Sequence, residues 1–402
     1  MDAGTNAAPV SGATVASRVD TRPTDTDAVR DVVRGAIDRG TSLRVVGRGT
    51  WLDAGRPVVA DAYPVSLEAL TGIVDYTPGD LTLTARAGTT LAEIAAATLP
   101  NGQWLALAPW GGDAGSLGAT AATASAGPLS GALGTPRDVV IGLEVVTGTG
   151  DVVRGGGRVV KNVAGFDLTR LMVGAWGTLG IITEVSVRLR GLPERDVSVA
   201  VSVPAGHAQL ADLLARLRTA PIAPIALELI DGTLARQLGI GGESVLLARV
   251  TGNDESVSSQ REALASFGDV IDTDSRIWTG LRTAEPAPAS VLRLSGPVGR
   301  LADTWSAAAR VTRGTSGAFA HASVLRPVAR VVVPNENGTL PQPAVDALRA
   351  TGSDVRIFER LPASVWPALA PTAVNDRLSH GVRAAFDPER LLNPGILGED
   401  TA

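Results

Sequence analysis

Residues 24–40, TDTDAVRDVVRGAIDRG, place Val29, Val32, Val33 and Ile37 at helical spacing, with Thr24 or Asp25 positioned to cap the start. Gly40 ends that helix, and SLRVVGRGT predicts a short strand entering a glycine-rich turn. LTLTARAG alternates apolar and polar residues in strand fashion. Thr90 and Glu93 then have the spacing of a capping box for the helix LAEIAAATL. WLALAP predicts a buried strand leading into a long window of small residues. From about residue 138, DVVIGLEVVTGTGDVVRGG predicts two strands joined by a Thr-Gly turn. The helix LTRLMVG and the long strand GTLGIITEVSVRLRGLP follow.

The pattern changes at Gly191–Asp196. Beyond it, strand-like VSVAVSVP, IALELI, SVLLARV, SVLRLSG and ARVVVP are interleaved with helix-like HAQLADLLARLR, SVSSQREALASFG and LADTWSAAARV. That alternation predicts an antiparallel α+β layer. The final FDPERLLNPGIL returns to loop-plus-helix character. The expected organisation is a disordered tail over residues 1–22, one domain over 23–192, a second over 193–385, and a segment, 386–402, that rejoins the first.

Composition narrows the chemistry. A chain of 402 residues exceeds one ordinary core, which supports two domains. A net charge of −5 argues against a nucleic-acid surface. The absence of cysteine excludes a disulfide, a thiolate nucleophile and a cysteine-ligated iron–sulfur cluster in this chain. Three histidines, His207, His321 and His380, are too few for a histidine-rich metal site, so no metal is expected. The first twenty residues lack the basic start and apolar centre of a signal peptide, and the uncharged window 114–136 is too weakly hydrophobic for a membrane span.

That window is instead a tightly packed loop and helix whose backbone lies close to something. Three glycine-dense turns lie at the ends of predicted strands: Gly47-Arg48-Gly49-Thr50, Pro109–Gly118, and Gly177-Thr178-Leu179-Gly180. Glycine permits positive φ and close backbone approach, and successive N–H groups converge on an anion. Any one such turn is ordinary. Three beside an Ala/Gly/Ser helix predict a large dinucleotide. Neither G-x-G-x-x-G nor G-x-x-x-x-G-K-[ST] is present, which disfavours a nicotinamide Rossmann enzyme and a P-loop NTPase.

The order GRGT, PWGGDAGSLGATAATASAG, GTPRDVVIGLEVVTGTGDVV, KNVAGFDLTRLMVGAWGTLGIITEVSVRL and DPERLLNPG resembles the FAD-binding domain of the p-cresol methylhydroxylase / vanillyl-alcohol oxidase superfamily. Within it, VVKNVAGFDLTRLMVGAWGTLG is most similar to the small FAD-binding subunits of bacterial glycolate oxidases. The resemblance implies an α+β fold: a two-subdomain FAD-binding domain followed by an antiparallel α+β cap. It implies that Gly47, Arg48, Gly49 and Thr50 hold the FAD pyrophosphate. Pro109, Gly111, Gly112, Asp113, Ala114, Gly115, Ser116, Gly118 and Ala119 would line the pyrophosphate and ribityl chain. Ala122, Thr123, Ala124 and Ser125 would pack by the flavin, and Gly177, Thr178, Leu179, Gly180, Ile181 and Ile182 would bind the adenosine half. Asn393 would close over the flavin, and Trp51 and Trp110 would stack on FAD. No histidine occupies the first glycine loop, so non-covalent FAD is expected.

The resemblance also implies a 2-hydroxy-acid substrate, a catalytic flavoprotein partner and an iron–sulfur subunit. A cytoplasmic location is expected, or one at the inner membrane face through partners. The metal-binding HxGDGNxH stretch of related lactate and glycolate dehydrogenases is absent; His321 and Arg326 in GAFAHASVLRP are the nearest candidates for a base and a carboxylate-binding cation. Lys161, the sole lysine among 36 cationic side chains, has two readings: an ammonium near the flavin or an anionic substrate, or a local pair with Asp167. The expected enzyme is an FAD-dependent oxidoreductase subunit. A stand-alone oxidoreductase of another alcohol or hydroxy acid, such as D-lactate, and a non-catalytic flavin scaffold remain open.

Overall fold

The computed structural model describes residues 21–157, 167–335, 338–350, 355–370, 374 and 376–399. Lys161 lies outside them.

The opening helix, Thr26–Arg39, is capped by Asp25, whose carboxylate accepts from the Ala28 N–H, and it ends at Gly40 in the left-handed region. Its buried face is Val29, Val33 and Ala36. A parallel strand pair, Leu43–Val46 with Tyr63–Ser66, packs with it. The capping box at Thr90 forms as expected and starts the helix Leu91–Thr98.

A five-stranded antiparallel sheet follows, in the order Ile73–Thr77, Thr82–Arg86, Gly180–Arg188, Val140–Thr147, Val152–Gly156. WLALAP departs from expectation: only Gln103–Trp104 is a strand, paired with Arg190–Gly191. That partner is two residues long, so the backbone beyond Trp104 has no ladder to join.

The predicted alternation after residue 193 becomes one eight-stranded antiparallel sheet. Its order is Val270–Thr273, Arg195–Ser202, Val245–Gly252, Ala226–Ile230, Phe319–Ser323, Val328–Pro334, Ala289–Ser295, Val355–Arg360. Helices His207–Leu217, Asp254–Ala265, Leu301–Thr312 and Gln342–Ala350 bury their apolar stripes on one face. The other face packs against the first half of the chain: Val291, Phe319 and Val332 share a core with Leu129 and, at its edge, Trp104, Trp110 and Leu133. The architecture is α+β, and that second core carries the sheet to the glycine loops.

The chain then returns. The Leu43 N–H donates to the Leu391 carbonyl at 2.7 Å, and the Asn393 N–H to the Leu43 carbonyl at 2.8 Å. Asp387 is fully buried and accepts from the Leu391 and Leu392 N–H groups. Burial nonetheless pushes its carboxyl above the ordinary range.

Candidate functional site

The three glycine turns converge on one cleft that is partly open to solvent.

Close backbone contact makes this shape possible. A Cβ on Gly47 would sit 2.8 Å from Ser116 Oγ, so the first turn lies directly on the start of the helix Leu117–Thr123. On Gly118 a Cβ would stand 2.5 Å from Ala87 Cβ and 2.8 Å from the Ala87 carbonyl oxygen, which accepts the Gly118 N–H. Of five non-glycine residues with positive φ among those described, Ala124, Trp176 and Asn393 cluster around this cleft. Strain held at one place is typical of a binding site.

Asn393 joins the elements. Its amide oxygen accepts from the Val45 N–H at 2.7 Å, and its amide nitrogen donates to the Trp176 carbonyl at 2.8 Å. The returning segment therefore fastens the strand before the first turn to the backbone before the third.

Most of the expected cofactor residues line this cleft. From the first turn come Gly47, Arg48, Gly49, Thr50 and Trp51; from the second, Pro109, Trp110, Gly111, Gly112, Gly115 and Ser116. The helix contributes Gly118, Ala119, Ala122 and Thr123, with Ser125 beyond it, and the third turn contributes Gly177, Gly180, Ile181 and Ile182, opposite Asn393. Five expected residues do not line it. Asp113 turns to Arg282, at 2.7 Å, and Ala114 is exposed. Ala124 ends the helix in the left-handed region. Thr178 bonds the Ala175 carbonyl, and Thr178 and Leu179 face a different groove.

The cleft also takes in Arg44 and Trp176, which the glycine pattern did not indicate. Trp51 and Trp176 stack on each other with ring centres 6.4 Å apart. Among the described residues, two arginines and no carboxylate line the cleft, a balance that suits an anion. Thr120 and Thr123 turn their hydroxyls back to helix carbonyls. Ser125 Oγ is buried without a partner. An orphaned hydroxyl, a stripped backbone cradle and a cationic lining together fit a diphosphate-bearing ligand such as FAD.

The expected catalytic residues are not brought together. His321 is buried in the strand Phe319–Ser323, its Nδ1 3.0 Å from a Glu228 carboxylate oxygen. Its ring lies 4.7 Å from that of Trp110, and the Arg330 guanidinium covers Trp110 at 4.9 Å. His321 and Arg330 face each other across adjacent strands. His321 thus sits behind the cleft wall. Arg326 is exposed in a separate depression shared with Arg137 and Arg170. Asp167 caps the helix Leu168–Met172 and pairs with Arg170 at 3.4 Å, a structural role for both.

Around Arg330 the sheet holds a buried ion cluster that no local motif announced. Arg330 pairs with Glu285 and Glu359; Glu285 also meets Arg360 at 3.1 Å, and Glu359 meets Arg293 at 2.7 Å. Burial raises the Glu285 carboxyl, but the Arg330 and Arg360 guanidinium groups outweigh it and hold it below the usual range.

A family model described as an FAD binding domain matches residues 18–156. Over 297 residues the chain is 34% identical to the glycolate oxidase subunit GlcE of Escherichia coli (strain K12), covering 72% of this chain and 81% of that protein. It is 30% identical over 263 residues to the glycolate oxidase subunit GlcD of Bacillus subtilis (strain 168), covering 62% of this chain and 55% of that protein. The solved structure of p-cresol methylhydroxylase with substrate bound superposes with a TM-score of 0.74 at 17% identity, covering 94% of this chain and 88% of that one. At that identity the likeness concerns the fold.

Proposed function

The chain belongs to the p-cresol methylhydroxylase-type FAD-binding flavoproteins, in the branch of the glycolate oxidase subunits, and from that premise we propose that it is the FAD-bearing subunit of a glycolate-oxidase-type complex. It is an FAD-dependent oxidoreductase of the hydroxy-acid class. The observation that carries the finer reading is the GlcE likeness, which runs over most of both chains.

When bound, FAD supplies an acceptor for the electron pair leaving the substrate's carbinol carbon. The chain's own residues shape the place for it. The backbone of Gly47–Thr50, Pro109–Gly112, Gly115 and Ser116 would hold the diphosphate, with Arg44 and Arg48 adding positive charge. Ser125 Oγ offers a hydrogen bond, and Trp51, Trp176 and Ile182 wall out water.

Oxidising a 2-hydroxy acid also requires a base for the hydroxyl proton and a cation for the carboxylate. Here His321 lies behind Trp110 and Arg326 lies elsewhere, which favours substrate chemistry completed with a flavoprotein partner. With no cysteine in the chain, an iron–sulfur cluster receiving the electrons belongs to another subunit. Among the described residues no helix is long and apolar enough to cross a membrane; we place the complex in the cytoplasm or at the inner membrane face through its partners.

One observation favours a second reading, a self-sufficient oxidoreductase: the His321–Glu228 pair is a single indole away from the cleft. Anaerobic addition of glycolate or D-lactate to the purified, FAD-loaded chain separates the two. The subunit reading expects the flavin colour to persist until partner subunits are added. Bleaching of the lone chain overturns it in favour of the second, and colour that persists even in the reconstituted complex leaves a flavin scaffold.

A further inference from the structure

All residues lining the cleft come from positions 44–182 and 393–396; none of the described residues of the eight-stranded layer is among them. Beyond the packing of His321 and Arg330 on Trp110, that layer hydrogen-bonds the cleft's second turn through one residue. Arg282 ends the helix Ile277–Arg282, and its side chain is 9% exposed. Its Nε donates to the Pro109 carbonyl at 2.7 Å, its Nη2 to Asp113 Oδ1 at 2.7 Å, and its own carbonyl accepts the Gly111 N–H at 2.9 Å. Three alternate residues of one turn are thereby fixed. The two between them, Trp110 and Gly112, line the cleft.

Gly111 has a φ of +91°, a conformation that favours glycine, and its N–H is the one held by the Arg282 carbonyl. A planar guanidinium serves two acceptors in different directions at once, which an ammonium on a flexible stem does not reproduce. The segment just after the first turn is held from the same layer: Arg360 Nε donates to Asp53 at 2.8 Å, and the Gly55 N–H to the Glu359 carbonyl at 2.7 Å.

We propose that Arg282 is a positioning residue for the cofactor: by bracing the Pro109–Asp113 turn it sets how tightly FAD is retained, so that docking of the eight-stranded layer and FAD binding reinforce each other. The coupling is reciprocal, because whatever orders the turn for FAD is in turn ordered by FAD. The proposal rests on the FAD reading of the cleft.

The test measures FAD release from the full-length holoprotein after dilution, followed by the recovery of free-flavin fluorescence. Losing charge-assisted bonds to the turn predicts release about 10-fold or more faster in Arg282→Ala. Arg282→Lys, which keeps a charge near Asp113, falls between it and wild type. If Arg282→Ala does not fold, Asp113→Ala serves, because that side chain is half exposed and its loss removes one bond only; about threefold faster release is expected. A purely architectural Arg282 predicts the opposite: lower thermal stability of the FAD-free chain with release at the wild-type rate in every variant that folds, and that result overturns the proposal. Wild-type protein that takes up no FAD sinks the flavin reading instead, so the two failures are distinct.

Discussion

The glycine cleft and the charged face of the eight-stranded sheet meet at Trp110, yet they are built by opposite means. The cleft takes its shape from side chains that are missing: Gly47 against Ser116 and Gly118 against Ala87 let backbones approach to distances that a Cβ would forbid. The sheet face is built from side chains present in full, with Arg330, Glu285, Glu359 and Arg360 buried in mutual contact. A site made of backbone keeps its form under many substitutions but fails at the few glycines in contact. A site made of ions has no neutral position, because removing one partner leaves its counter-charge in a medium that solvates it poorly.

The largest expected effect lies on the ionic side. Arg330→Met leaves Glu285 with Arg360 alone and Glu359 with Arg293 alone, and breaking these buried pairs predicts a loss of about 3–5 kcal/mol in urea unfolding at neutral pH. Glu285→Gln adds a signature in pH. The Glu285 carboxyl is held below its ordinary value, so its stabilising contribution is complete above the unfolded value near ~4.3 and is lost as pH falls through the lower folded one. The stability gap between wild type and Glu285→Gln therefore closes as urea titrations are taken below about pH 4; a constant gap would contradict the pairing.

On the backbone side, Gly118→Ala meets Ala87, which has no flexible end to move aside. Overpacking there predicts a loss of about 1–3 kcal/mol together with loss of FAD uptake, read from the flavin absorbance of the purified protein. Retained uptake would break the contrast. Ser125→Ala gives the smallest change: an orphaned hydroxyl disappears, so the FAD-free chain melts no lower, while FAD binding weakens by about 1 kcal/mol in calorimetric titration.

This division also explains how much the sequence disclosed. A glycine turn at a strand end is ordinary, but three of them, read with the intervening Ala/Ser helix and the ordered motifs, exposed most of the cleft lining and the family. Each exception has its own cause. Thr178 bonds its own turn, and Asp113 answers a residue 169 positions away. Pairings over such separations leave no periodic trace: Arg360 reaches Asp53 across 307 positions, and nothing near either residue announces it. His321 is the nearest candidate for a histidine of the missing HxGDGNxH stretch, but its neighbours Glu228 and Trp110 come from another strand and another layer, so only the fold reveals that it stands behind the wall. WLALAP was read as a strand because apolar runs look alike whether or not a neighbour exists to pair with them.

The strap formed by Leu391–Asn393 has a consequence for biosynthesis. Strand Leu43–Val46 emerges from the ribosome some 350 residues before the backbone groups that complete it. Until then the turn at Trp176 lacks its tether, and the flavin cradle of a nascent chain stays ajar. Cofactor loading is thus a late event, and a stalled or prematurely terminated product ending before Asn393 would emerge colourless.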